Sequence, residues 1–172
     1  MKGLIQMKDF YIFLDIDGVL FDWKYLMKQM REGLTKNQYN YINPDCVNAL
    51  NHLIKSLEKH FNVTLVISST WRISMEKTEQ TLKENNLDYN KKLEHTPITP
   101  NPHERGKEIL TYLQSKPEPY DFVILDDETF DFDKYFDSSK IIKTNVSNNS
   151  LNNTMVKNFL NGLNIDIEKE IE

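Results

Sequence analysis

The chain has 172 residues, 39% of them hydrophobic and 27% charged, enough for one domain over 1–172 with a core of its own. A formal charge of −5 argues against a surface that traps nucleic acid over its whole extent, while a local basic patch remains compatible with it. Cys46 is the only cysteine, which excludes an intramolecular disulfide and a zinc site of paired cysteines and fits a reducing, cytoplasmic setting.

Phe10 to Asp15 is a continuous apolar run that ends in acids and Gly18, the pattern of a strand buried on both faces. It is too short for a signal-peptide core, and no later stretch approaches the roughly 20 apolar residues of a membrane span. Residues 21–43 are expected to form a hairpin or short helical flap. Pro44 then opens a helix to about Lys59, with Val47, Leu50, Leu53, Ile54 and Leu57 at helical spacing. Val63 to Ile67 is a second buried strand, ending at Ser68-Ser69-Thr70, and a weaker helical pattern follows from Ile73 to Asn85. A short strand over Leu93 to Thr96, an exposed loop over Pro97 to Pro102 and a helix from Glu104 to Leu113 come next. Phe122 to Leu125 is the third buried strand, stopping at Asp126-Asp127. A short strand at Lys140 to Lys143, a closing helix at Leu151 to Leu160 and a frayed acidic tail from Asp166 to Glu172 complete the chain. Strands alternating with helices of this length imply βαβ units, a parallel central sheet and right-handed crossovers, an α/β protein.

In such a sheet ligands bind outside the carboxyl ends of the strands, so the polar clusters that end the three buried strands should meet there. Asp15, Asp17, Asp126 and Asp127 would then crowd four carboxylates into one crevice, and their repulsion calls for a hard cation with oxygen ligands. Magnesium suits this, since it takes one or two carboxylates, keeps several waters and accepts a phosphate oxygen. The period of two puts Asp15 and Asp17 on one side, and Gly18 lets the chain turn sharply beside them.

Three segments together resemble the haloacid dehalogenase (HAD) superfamily. Phe-Leu-Asp-Ile-Asp-Gly-Val-Leu (13–20) is similar to its first motif, Val-Ile-Ser-Ser-Thr-Trp-Arg (66–72) to its second and Ile-Leu-Asp-Asp-Glu (124–128) to its fourth. Ser-Ser-Thr-Trp-Arg, with Thr99-Pro100 and Arg105-Gly106-Lys107-Glu108-Ile109, most resembles the small HAD domain of Swiss Army knife RNA repair proteins. The resemblance implies a Rossmann-like three-layer sandwich and a magnesium-dependent phosphatase. Asp15 would be the nucleophile that forms an aspartyl-phosphate, and Asp17 the acid and base. Magnesium would be held by Asp15, the Asp17 carbonyl and Asp126, with Asp127 acting through water. Ser68, or in reserve Ser69, would supply a hydroxyl to the phosphoryl group, although either could simply cap a helix. Arg105 or Lys107 would supply the cation, and Arg72 could reach the site or form a salt bridge on the next helix.

Residues 21–43 leave room for only a small cap or none, and an open crevice favours a substrate too large to be enclosed, such as the end of an RNA or DNA chain. Lys24, Lys28 and Arg31 recur at helical spacing near Trp23, Tyr25 and Tyr39, either as a short polyanion track or as the solvated face of an amphipathic helix. The expected activity is hydrolysis of a phosphomonoester, with 3′-phosphate ends as the specific substrate and a kinase or ligase as possible protein partners. Nucleotides or sugar phosphates are the competing substrate class, and a receiver-like or non-catalytic phosphate-binding module is the competing function.

Overall fold

A computed structural model describes residues 7–163; the acidic tail expected at 166–172 lies outside them. Five strands form one parallel sheet in the order β3-β2-β1-β4-β5. They are β1 (Asp9–Leu14), β2 (Asn62–Ile67), β3 (Glu94–His95), β4 (Tyr120–Asp126) and β5 (Ile141–Lys143). The helices are α1 (Trp23–Arg31), α2 (Pro44–Glu58), α3 (Met75–Glu84), α4 (Arg105–Gln114) and α5 (Asn153–Gly162). The chain builds outward from β1 through β2 to β3, then returns to place β4 and β5 on the other side. The strand order therefore reverses between β1 and β4, where an open α/β sheet binds its ligands.

The sheet is covered on both faces because β1 is apolar at every position beyond Asp9. Phe10, Ile12 and Leu14 pack with α2 and α5 residues such as Leu50, Leu53, Val156 and Leu160. Tyr11 and Phe13 face the other way, onto Ile109, Tyr112 and Leu113 of α4. Pro44 at the first turn of α2, capped by the Asn43 side chain on Asp45 N, starts that helix where the sequence places it. The helix expected from Ile73 begins only at Met75. The Ser69 side chain caps Trp71 N and winds Thr70–Ser74 into a 3₁₀ turn first. Within 21–43 lie α1, capped by Asp22, and one further 3₁₀ turn. No helix among the described residues is long and apolar enough to cross a membrane.

Candidate active site

Register delivers the site. Leu14 pairs with both Ile67 and Leu125, so β1, β2 and β4 end level, and Ser68 N and Asp15 N continue the ladder onto Leu14 O and Leu125 O, each at 3.0 Å. Asp15 shares the parity of Tyr11 and Phe13, and Asp126 that of Ile124, so both carboxylates turn toward the layer that α4 occupies. Arg105, the first residue of α4, meets them there. Its Nη1 lies 3.0 Å from Asp15 Oδ1 and 3.0 Å from Asp126 Oδ2, with all three side chains buried.

Two neighbours fix that arginine. The Phe130 ring lies 4.5 Å from the guanidinium carbon, and Phe130 holds a left-handed φ of 40° to put it there. Buried Asp131 accepts Gly106 N at 2.6 Å, anchoring the start of α4. A Cβ at residue 106 would come within 2.8 Å of that carboxylate oxygen, so the contact needs glycine. Gly18, at φ +78°, serves the opposite rim: a Cβ there would stand 2.3 Å from the Asp127 carboxyl carbon.

Ligand oxygens of Asp15, Asp126 and Asp127 fall within 4.8 Å of one another. Burial raises the pKa of Asp15 to about 6 and that of Asp126 to about 7, with the Arg105 charge pulling both back. Burial also raises Asp127, with Glu128 adding to it and Lys143 opposing it. One arginine thus leaves the carboxylates under-compensated. The donor set is oxygen only and clustered on one side, which fits a hard divalent cation that retains waters.

Asp17 stands apart from this cluster. It is exposed, and its Oδ2 accepts the Trp71 indole N–H at 3.1 Å. The Ser69 hydroxyl lies against Asp15 and lowers its pKa, whereas Ser68 Oγ is fully buried without a hydrogen-bond partner among the described residues. Arg72 is used inside the fold: Nη1 donates to Ser68 O (2.5 Å) and Ser69 O (2.9 Å), and Nη2 pairs with buried Glu108 at 2.7 Å. Glu108 also accepts Thr99 N at 2.7 Å, so one carboxylate ties the loop after β2 to α4 and to the segment after β3. Lys107 points outward to Glu104 at 3.4 Å. Lys24 and Lys28 are exposed on α1 and line a separate cleft.

Sequence reasoning missed Phe130, Asp131 and the bridging role of Glu108. Glu108 and Trp71 sit inside motifs that can be read, so their presence was visible but their contacts were not. Phe130 carries no signal, being an aromatic residue in an acidic loop.

The fold agrees with what the chain is similar to. A family model described as the HAD domain in Swiss Army Knife RNA repair proteins matches residues 11–154, from β1 into α5. The chain belongs to this family. Among solved structures, the HAD domain of effector protein Lem4 from Legionella pneumophila is similar with a TM-score of 0.51 at 17% identity. That match covers 94% of this chain and 96% of the other, and shows a shared HAD fold. No curated protein matches the chain.

Proposed function

We propose that this HAD domain is a magnesium-dependent phosphomonoester hydrolase that acts on 3′-phosphate ends of nucleic acid. The observation that carries the reading is the buried set of Asp15, Asp126 and Arg105 at the switch point of the sheet, with Asp127 beside it. Asp15 attacks phosphorus in line, and the P–O bond to the leaving alcohol breaks as Asp17 delivers a proton to that oxygen. Water then attacks the aspartyl-phosphate, Asp17 takes its proton, and inorganic phosphate leaves with Asp15 restored. Asp17 suits the proton role because it lies outside the carboxylate cluster and Trp71 holds one of its oxygens. Arg105 offsets the charge of Asp15 and Asp126, and Ser69, against Asp15, is the hydroxyl assigned to the phosphoryl oxygens.

Magnesium, held by Asp15, Asp126 and Asp127, would supply the positive charge that lets a carboxylate approach a phosphate dianion. The raised pKa values give this a thermodynamic test. With folded values near 6 and 7 against roughly 3.9 in the unfolded chain, the native state holds protons the unfolded state has released. Metal-free stability should therefore fall as pH rises from about 4 to about 7. Magnesium should raise the melting temperature more at pH 8 than at pH 5, because protons compete with it for the same oxygens. Equal stabilisation at both values would count against these carboxylates as its ligands.

The substrate reading rests on the family's association with RNA repair proteins and on the small 21–43 segment, which holds only one short helix and a 3₁₀ turn. The test is magnesium-dependent phosphate release from matched 3′- and 5′-phosphorylated oligonucleotides and a mononucleotide. Release from the 3′ end at a rate well above the other two is the expected result. A faster mononucleotide would assign a small-molecule substrate, and no release from any would remove the hydrolase.

A further inference from the structure

A cleft of about 790 Å³ opens between α1 and the loop 145–152, lined by none of the site acids. Lys24, Lys28 and Arg31 come from one wall, and Asn148, Asn149 and Asn152 from the other. The first turn of the 15-residue α2 and the capping residue of the 10-residue α5 also line it.

The charge is available. Lys24 and Arg31 have no ion pair among the described residues, and Lys28 has only an exposed contact with Glu32 at 3.9 Å. Of the two acids in the lining, Asp22 is buried and engaged by Tyr25 N (2.6 Å), Asn43 Nδ2 (2.9 Å) and Ser150 Oγ (2.8 Å). Asp45 opposes the cations from the wall of α2, and Asp22 adds a second, buried carboxylate to the lining. The cleft also lies next to the site in the chain. Asp17 bridges to Phe21, Asp22 follows, and half-exposed Trp23 stacks edge-on with Phe21 at 5.5 Å where α1 begins.

We propose that this cleft holds backbone phosphates of a single-stranded nucleic acid, with Lys24, Lys28 and Arg31 as the cations and the side-chain amides of Asn148 and Asn149 meeting sugar and base edges. Successive cations one helical turn apart, about 5–6 Å between Cβ atoms, offer a row of charge rather than a single anion pocket. Asparagine amides present both donor and acceptor, which a base edge can use; the carboxylates of an acidic peptide only accept. Tyr25 in the lining and Trp23 at the start of α1 add ring faces for stacking. The inference deepens the proposed function, giving the substrate chain a place to lie, and rests on that reading only for which end is processed.

The experiment is fluorescence anisotropy of a labelled 12-nucleotide single strand that ends in hydroxyl groups, titrated with the full chain at several salt concentrations. Lys24→Glu with Lys28→Glu should weaken binding by roughly tenfold or more and reduce the slope of log affinity against log salt by about 1.4. Asn148→Ala with Asn149→Ala should weaken binding severalfold at an unchanged slope. Unchanged affinity and slope in a double lysine variant that melts like wild type would overturn the proposal, as would equal competition by an oligoglutamate peptide of matched charge. Phosphate release from an aryl phosphate by the wild-type protein reports on Asp15 separately, so the cleft and the hydrolase can fail independently.

Discussion

Replacing Asp15 by asparagine is expected to lower phosphate release by a factor on the order of 10⁴ or more, since it removes the carboxylate that the proposed mechanism uses to form the phosphoryl-enzyme bond. The same change should leave the metal-free protein at pH 8 as stable as wild type or more so. Asp15 is buried, and burial raises its pKa more strongly than Arg105 lowers it, so its charge is a burden on the fold that a neutral isostere relieves. Arg105 keeps Asp126 at 3.0 Å in the variant, which prevents a new unpaired cation. Phosphate-release assays and thermal melts at pH 8 check the two halves. Retained turnover would remove Asp15 as nucleophile, and a large fall in melting temperature would make it a structural anchor instead.

That opposition between stability and chemistry explains why the site was partly legible in the sequence. A folding core has no use for acids at the ends of two buried apolar strands, so Asp15, Asp126 and Asp127 declared themselves as soon as the strands were located. The strands were easy to locate because Phe10–Leu14, Val63–Ile67 and Phe122–Leu125 are apolar at every position but Thr64, the pattern of strands buried on both faces. Parity then fixes which face each acid takes. The choice between Arg105 and Lys107 stayed open because two residues in the first turn of a helix diverge by about 200°, and only the docking of α4 decides which one turns inward. Phe130 and Asp131 decide it, through a loop whose shape no short-range pattern encodes. The same holds for Ser68 and Ser69. Both follow β2 directly, and their difference arises from the 3₁₀ turn that brings Ser69 toward Asp15 and from Arg72, which clamps the carbonyls of both.

Removing Arg105 should be the most destabilising single change at this site. Asp126 is fully buried, and Arg105→Ala takes away the cation that holds its pKa down, so at pH 8 the variant must either bury an unpaired carboxylate or force it to take up a proton. Breaking a buried pair from one side costs about 3–5 kcal/mol. For a chain of this size that is a fall in melting temperature of roughly 10 °C. At pH 5 the penalty should shrink, because Asp126 takes up a proton and no longer needs the charge. Arg105→Lys should fall between the two, since an ammonium keeps the charge but not the guanidinium that sits 4.5 Å over the Phe130 ring while one of its nitrogens meets both carboxylates. Thermal melts of the metal-free variants at pH 5 and pH 8 read this directly. A loss that is equal at both pH values would mean that Arg105 stabilises the fold by packing on Phe130 rather than by compensating Asp126. In that case the acids would depend on another source of positive charge to coexist in the native state.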